Sequence, residues 1–299
     1  MVPSAHRRWR ACLAGLLGIA LASLLLLLAP HAWAQQPDRG PVNLDVILLI
    51  DNSTSMSDED AATGAPPSDP ENLRIRAARF LVDYLRANAE TAGANYRVGV
   101  VSFGGVISDV IPLRLVEDEA VREGIRAERI EYTDFRGPLQ FALREFRAKS
   151  FGTGHKMAVI LLTDGQPLPT GEPLDEDELE GYFEEDLAPL VGDLQQGGAV
   201  LYVLGIGDAR EDRERWTGLV AEEHYVPISS TTELADVYHD VVAELVGLTA
   251  SEGQVLPAGR AVSVETEPYL EQVVFSFIKS DTGFFVTLIS PSGDILTPT

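Results

Sequence analysis

Residues 44–55 read Leu-Asp-Val-Ile-Leu-Leu-Ile-Asp-Asn-Ser-Thr-Ser, an apolar run that passes directly into a cluster of oxygen-bearing side chains. The almost wholly apolar part, from Leu44 to Ile50, is typical of a strand that is buried on both faces. Strands of this kind belong to parallel sheets that helices cover on both sides. The stretch therefore predicts an α/β domain whose first strand leads into a polar loop beginning at Asp51.

The alternation of strands and helices continues for about 200 residues. Apolar runs of strand length lie at 96–103, 110–116, 157–162, 200–206 and 225–228. Segments of helical period lie between or after them, at 72–88, 119–127, 137–147, 184–195, 213–222 and 233–245. The gap around Gly104 and Gly105 is too short for a parallel crossover, so the strands that it joins are predicted to be antiparallel, with Pro112 on an edge strand. We predict one domain over residues 44–248, with a mostly parallel sheet, one antiparallel edge strand and helices on both faces.

Residues 249–299 have a different pattern. Strand-like runs at 261–266, 272–279 and 284–290 are separated by turn-forming residues. We expect a partial all-β, sandwich-like segment here. Because a sheet of a few strands is marginally stable alone, it would pack on the α/β domain or be completed by a longer natural chain.

The amino terminus has the features of an export signal. Residues 1–34 combine three early arginines with an apolar run and end in Ala32-Trp33-Ala34, which indicates a signal peptide cleaved after Ala34. An uncleaved membrane anchor is the alternative, because the apolar run approaches the length that spans a bilayer. Residues 35–43 form a short polar lead-in. We therefore predict an exported protein, whether secreted, periplasmic or held at the cell surface.

The composition excludes several classes of function. The chain has 299 residues, with 23 Lys and Arg against 46 Asp and Glu and a formal charge of −23. Removing residues 1–34, which carry three arginines and no acid, would leave 265 residues with a charge of −26. Nucleic acid and anionic membranes repel such a surface, so a membrane contact would need an uncleaved amino-terminal anchor or a missing carboxyl-terminal region. The single cysteine, Cys12, lies in the predicted signal peptide, so the exported chain has no disulfide framework and no cysteine-based zinc site.

Oxygen-bearing side chains follow two of the predicted buried strands. Asp51, Ser53 and Ser55 leave the first strand, Asp164 follows another, and Thr133 precedes a helix. Because the carboxyl ends of parallel strands meet at one edge of the sheet, we expect these side chains to converge there, outside the core. Carboxylates and hydroxyls are ligands that hard divalent cations prefer. The arrangement predicts a metal site.

At these residues the chain resembles the von Willebrand factor type A domains. The stretch from Asp51 to Ser55 is similar to the Asp-x-Ser-x-Ser motif of their metal-ion-dependent adhesion site (MIDAS), Thr133 is similar to its distal threonine, and Asp164 to its distal aspartate. The resemblance covers about residues 42–248 and implies a Rossmann-like α/β fold. One departure is an insertion at 57–71, which lies between the motif and the first helix and could cover the site.

The resemblance also implies a function. The ion would be Mg²⁺, with Mn²⁺ or Ca²⁺ as alternatives, bound by the hydroxyls of Ser53, Ser55 and Thr133 and, directly or through water, by Asp51 and Asp164. A partner protein would fill the last position with an Asp or Glu carboxylate, as in a non-enzymatic adhesion or interaction module. Two alternatives stay open, a metal-dependent hydrolase and a scaffold in which the metal only rigidifies the loops. The motif offers no poised base beyond its two aspartates, so no catalytic residue is predicted.

Overall fold

The structure, a computed structural model, describes residues 42–58, 66–165, 167–206, 213–229 and 233–246, together with 288–289 and 295–296. A six-stranded sheet forms the centre of the domain. Its strands are, in chain order, β1 (Leu44–Asp51), β2 (Tyr96–Phe103), β3 (Ile107–Leu115), β4 (Lys156–Thr163), β5 (Ala199–Ile206) and β6 (Tyr225–Ile228). Their order across the sheet is β3-β2-β1-β4-β5-β6, and all neighbours are parallel except β2 and β3.

β1 lies in the interior of this sheet. All eight of its residues are buried, as the apolar run predicts, and it pairs with β2 on one side and β4 on the other. The register places Ile50 opposite Ser102 of β2 and Leu162 of β4. The strand order reverses at β1, so the carboxyl ends of β1 and β4 border the crevice in which sheets of this class bind ligands.

Helices cover both faces of the sheet. They are α1 (Thr54–Ser57), α2 (Leu73–Ala92), α3 (Glu119–Glu123), α4 (Arg136–Lys149), α5 (Glu176–Gly181), a π-helix (Tyr182–Leu187), α6 (Ala188–Gln196), α7 (Arg213–Leu219), a 3₁₀ turn (Glu222–His224) and α8 (Leu234–Val246). Side chains of α2 and α8 share one apolar core with the sheet, and side chains of α4, α6 and α7 share the other. Alternate residues of β1, such as Leu48 and Leu49, enter opposite cores because successive side chains of a strand point to opposite faces.

The architecture confirms the predicted fold class, a mostly parallel sheet with one antiparallel edge strand. β3 forms that edge, and Pro112 lies within it. Two side chains of α4 satisfy backbone groups of this strand: Glu145 accepts a hydrogen bond from the Leu113 N–H at 3.0 Å, and Lys149 donates one to the Leu113 carbonyl at 3.0 Å. Contacts of this kind leave an edge strand less able to pair with another chain.

Four helices differ from their predicted bounds by three residues or more, and the first of them, predicted at 72–88, runs from Leu73 to Ala92. The helix predicted at 119–127 ends at Glu123, where Gly124, a poor helix former, packs so closely on Ile111 that a Cβ would lie 2.4 Å from its side chain. The helix predicted around 184–195 belongs to a longer helical segment, which begins at Glu176 because Asp175 and its capping box start it earlier. α7 ends at Leu219, three residues before its predicted end, and the 3₁₀ turn begins at Glu222.

Some predicted segments lie outside the described residues. They are the signal peptide (1–34), the lead-in up to residue 41 and the part of the insertion at 59–65. Most of the predicted β segment (249–299) also lies outside them; the described part is an antiparallel pair, β7 (Leu288–Ile289) with β8 (Ile295–Leu296), so the sandwich-like sheet stays a prediction. Within the described residues, no helix has the length and apolar character needed to span a membrane.

Candidate metal centre

The end of β1 is built around the carboxylate of Asp51, which is fully buried at 0% exposure. Its Oδ1 accepts a hydrogen bond from the backbone N–H of Ser53 at 2.8 Å. Its Oδ2 accepts one from the hydroxyl of Thr163, the last residue of β4, at 2.7 Å. The expectation that this residue lies outside the core is therefore wrong, because β1 has neighbours on both sides and they enclose its last side chain.

Two serines connect Asp51 to the second aspartate. Ser53 and Ser55 lie 3.0 Å apart through their hydroxyl oxygens, and the Ser55 hydroxyl donates to Oδ1 of Asp164 at 3.1 Å. Asp164 directly follows β4 and is buried. Four of the predicted site residues are thus brought together by contacts between the loops that leave β1 and β4.

Thr133 lies in a third loop, which packs beside the first. The backbone N–H of Ile130 donates to the carbonyl of Asn52 at 2.9 Å, and Ile130 forms a bridge with Ser53. Thr133 itself is buried and exchanges two backbone hydrogen bonds with Leu168, at 2.7 and 3.4 Å. Its hydroxyl makes no hydrogen bond with the other four predicted site residues, so the structure places its loop at the site without joining its side chain to the cluster.

The two carboxylates, Asp51 and Asp164, are unfavourable in their charged forms because they are buried. Burial, and then repulsion from Asp164, raises the pKa of Asp51 to about 7, although hydrogen bonds from Ser53 and Thr163 act in the opposite direction. Burial also raises the pKa of Asp164, against the hydroxyls of Ser68 and Ser55 and the charge of Arg74. Two buried acids that repel each other favour a proton or a cation between them.

The donor set fits a hard divalent cation. Oδ2 of Asp164 is buried and has no hydrogen-bond partner among the described residues, although buried carboxylate oxygens are normally paired. A cation would pair with this oxygen and offset the repulsion from Asp51. Among the described residues there is no cluster of three or more His, Cys, Asp or Glu, so a cation here would depend on the serine and threonine hydroxyls as well.

A buried arginine donates hydrogen bonds to the polar loop that follows β1. Arg74, in the first turn of α2, is 0% exposed and donates from Nε to the carbonyl of Asp51 at 3.1 Å and from Nη2 to Oδ1 of Asn52 at 2.7 Å. Its Nη1 pairs with Oδ2 of Asp69 at 2.8 Å. Asp69 also accepts the backbone N–H groups of Leu73 and Arg74, at 2.7 and 3.0 Å, and so satisfies two of the amide groups that a helix leaves free at its start, although the N-cap residue is Asn72.

Sequence reasoning did not identify Arg74, Asp69 or Thr163. An acid shortly before a helix is a recognisable capping signal, so Asp69 could have been found within the insertion. Nothing in the sequence distinguishes Arg74 from Arg76 on the same helix, although the first is buried and the second exposed. Only packing separates them.

The metal-free protein is expected to lose the stability that a protonated Asp51 contributes as the pH rises from about 4 to about 7. The folded state holds a proton on Asp51 up to about pH 7, whereas the unfolded chain releases it near 3.8. The contribution of this proton to the free energy of unfolding is therefore fully present below the unfolded pKa and is lost as the pH rises through the folded pKa. The free energy of unfolding falls by up to about 1.4 kcal/mol per pH unit. Urea unfolding in chelator measures the effect, with Asp51→Asn as the non-titrating control. Equal pH dependence in the two proteins would contradict the raised pKa.

The fold and the clustered side chains define a class of protein. It is an α/β sheet domain with an oxygen-rich site at the carboxyl ends of its central strands. Residues 46–166 match the family model of the von Willebrand factor type A domain, so this part of the chain is similar to that family. No curated protein sequence matches the chain significantly.

Solved structures of pilus proteins have a similar fold. The von Willebrand factor domain of the type V pili tip protein Mfa5 from Porphyromonas gingivalis is 14% identical, with a TM-score of 0.53 over 72% of this chain and 99% of that one. The pilus adhesin SpaC from Lactobacillus rhamnosus GG is 15% identical, with a TM-score of 0.52 over 69% of this chain and 31% of that one. The adhesive tip pilin GBS104 from Group B Streptococcus agalactiae is 13% identical, with a TM-score of 0.51 over 68% of this chain and 100% of that one. At these identities the similarity concerns the fold alone. The chain spans about a third of the SpaC structure.

Proposed function

We propose that this protein is an exported, non-enzymatic module that binds a partner protein through a divalent cation. Mg²⁺ is the proposed ion, with Mn²⁺ or Ca²⁺ as alternatives, and its ligands are Asp51, Ser53, Ser55, Thr133 and Asp164. When bound, the ion supplies a positive centre that attracts one more hard oxygen anion. The partner provides that anion as an Asp or Glu carboxylate.

The unpaired Oδ2 of Asp164 is the observation that carries the proposal. A buried carboxylate oxygen without a hydrogen bond is uncommon, and here it lies in a cluster that already joins Asp51, Ser53 and Ser55. Burial, and then repulsion from Asp164, raises the pKa of Asp51, and a positive charge within the cluster would act against both. A bound cation would pair with Oδ2 of Asp164 and would lower the raised pKa of Asp51.

Charge balance supports a carboxylate on the partner. Two aspartates neutralise a divalent ion, and the remaining proposed ligands are neutral hydroxyls, so the ion keeps its affinity for another anion. The net charge of −23 repels acidic partners at long range, but salt screens that repulsion beyond about 8–10 Å. The fold similarity to pilus tip and adhesin proteins supports adhesion at a cell surface as the setting, in agreement with the predicted signal peptide.

The proposal is tested by selecting random displayed peptides on the purified protein in excess Mg²⁺ and eluting them with EDTA. The eluted peptides are expected to share an Asp or Glu. Replacing that residue with Asn or Gln should weaken binding by about tenfold or more, because a contact with a charged group contributes about 1.5–3 kcal/mol.

The control is the same selection in EDTA throughout, which should recover none of these peptides. Peptides that bind equally well with and without EDTA would contradict the proposal and favour the scaffold alternative. Turnover of ester or phosphoester substrates that depends on Mg²⁺ would instead favour a hydrolase.

A further inference from the structure

Two exposed apolar side chains lie beside the candidate metal centre. Among the described residues, the exposed large hydrophobic side chains are Val106 (67% exposed), Leu115 (49%) and Tyr132 (43%). Val106 follows the carboxyl end of β2, and Tyr132 immediately precedes Thr133. Leu115 lies at the opposite end of the sheet, where it pairs with Arg97 near the start of β2. Single exposed apolar residues are ordinary, but two neighbouring ones at a binding edge form a surface.

The loops that carry Val106 and Tyr132 are joined through their backbones. The turn at 104–106 is hydrogen-bonded to the Thr133 loop at two points: Gly105 N–H donates to the Glu131 carbonyl at 2.8 Å, and Asp134 N–H donates to the Gly104 carbonyl at 2.9 Å. The two backbones approach so closely that a Cβ on Gly105 would lie 2.9 Å from Cβ of Tyr132. Glycine is therefore required for this contact.

The conformation of Tyr132 holds its ring at the surface. Its φ is +66°, in the left-handed region that bulky residues rarely adopt. The ring packs on Gly171, where a Cβ would lie 2.4 Å from Cε1 of Tyr132. Backbone strain of this kind persists where the surroundings hold it, and it is concentrated at functional sites. Here it fixes an aromatic ring one residue away from a proposed metal ligand.

The charges around the ring limit what can bind there. Glu131 precedes Tyr132, Glu172 follows Gly171, and both are exposed. A second acidic group on the partner would be repelled at this point, whereas an apolar side chain would bury the exposed part of the ring. Tyr132 directly precedes Thr133 in the chain, so an apolar residue that contacts the ring is expected close in sequence to the carboxylate of the partner.

We infer that Tyr132 and Val106 form a specificity surface for a partner segment in which a large apolar or aromatic residue lies within two positions of the metal-binding Asp or Glu. The inference rests on the proposed function and deepens it. The ion selects the carboxylate, and the surface selects the residue beside it. Tyrosine is well suited to this role, because aromatic side chains give large contact areas at small entropic cost.

The test uses the peptides recovered in Mg²⁺ and the variants Tyr132→Asn and Val106→Asn. Asparagine tolerates the left-handed region, so it removes the ring while retaining the backbone. The peptides should be enriched in Phe, Tyr, Trp or Leu within two positions of the acid. Each variant should bind them about tenfold more weakly, while Mn²⁺ affinity stays at the wild-type value. Leu115→Asn is the matched control and should bind the peptides as the wild type does.

The outcomes separate this inference from the proposed function. Acidic peptides without apolar enrichment, or wild-type peptide affinity in Tyr132→Asn, would overturn the specificity surface alone. A fall in Mn²⁺ affinity that accounts for the weaker peptide binding of Tyr132→Asn would also overturn it, because the tyrosine would then only position Thr133. Failure to recover any EDTA-eluted peptide, with no binding of Mn²⁺ to the wild type, would overturn the proposed function and the inference with it.

Discussion

Replacing Asp51 with asparagine is expected to abolish divalent-metal binding and, at the same time, to stabilise the metal-free protein at about pH 8. The carboxylate is fully buried, has a pKa raised to about 7 and is repelled by Asp164. Asparagine keeps an oxygen that can accept the hydrogen bond from Ser53 or Thr163 but carries no charge to bind a cation. Loss of metal affinity should be at least about a hundredfold, since even residues behind the ligands contribute tenfold to a hundredfold.

The gain in stability should be about 1–3 kcal/mol in chelator, because the variant no longer buries two like charges next to each other. Titration with Mn²⁺ followed by calorimetry measures the first effect, and urea unfolding in EDTA measures the second. Asp83→Asn is the matched control, since Asp83 is exposed and, in the described part of the chain, forms an ion pair with Arg122 at the surface. That variant should change neither quantity by more than about 0.5–1 kcal/mol. Wild-type Mn²⁺ affinity in Asp51→Asn would exclude this carboxylate as a ligand.

Replacing Arg74 with methionine is expected to destabilise the domain by about 3–5 kcal/mol. The arginine is fully buried, and its removal leaves the charge of Asp69 without its guanidinium partner and takes a donor from the amide oxygen of Asn52 and the carbonyl of Asp51. For a domain of this size, the midpoint of thermal unfolding should fall on the order of 10 °C. Because the lost contacts include the loop after β1, Mn²⁺ affinity should fall as well.

Two further variants separate the ion pair from general effects of the substitution. Arg76→Met changes an exposed arginine on the same helix and should stay within about 0.5 kcal/mol of the wild type. The double variant Arg74→Met with Asp69→Leu removes both charges, so it should be less destabilised than the sum of the single variants. If Arg74→Met is as stable as Arg76→Met, the buried network does not support the loop in the way that its hydrogen bonds indicate.

Much of the fold could be predicted because its signals are local. The apolar run from Leu44 to Ile50 and the periodic segments after it depend on side-chain spacing, and the short Gly104-Gly105 connection admits only an antiparallel pair. The positions of Asp51 and Asp164 at the ends of buried strands follow from the same patterns. The metal-binding role of these residues stays a prediction that the experiments above would test.

The helix bounds were less predictable, because capping and close packing decide them. The helix at Glu119 ends early where Gly124 meets Ile111 of a strand that precedes it in the chain. The segment before Glu184 is helical because Asp175 and Glu178 form a capping box at its start.

The sequence by itself therefore determined the class of fold, the order of its elements and the edge of the sheet at which the polar loops meet, since these depend on hydrophobic period and chain connectivity. The tertiary structure alone decided that Asp51 is enclosed, that Arg74 is buried while Arg76 is not, and that Tyr132 is held in a left-handed conformation over Gly171. These features arise from contacts between residues that are distant in the chain and meet only in the folded structure. The pKa of a carboxylate, the partner of a guanidinium and the exposure of a ring depend on that packing, and residue order does not specify it.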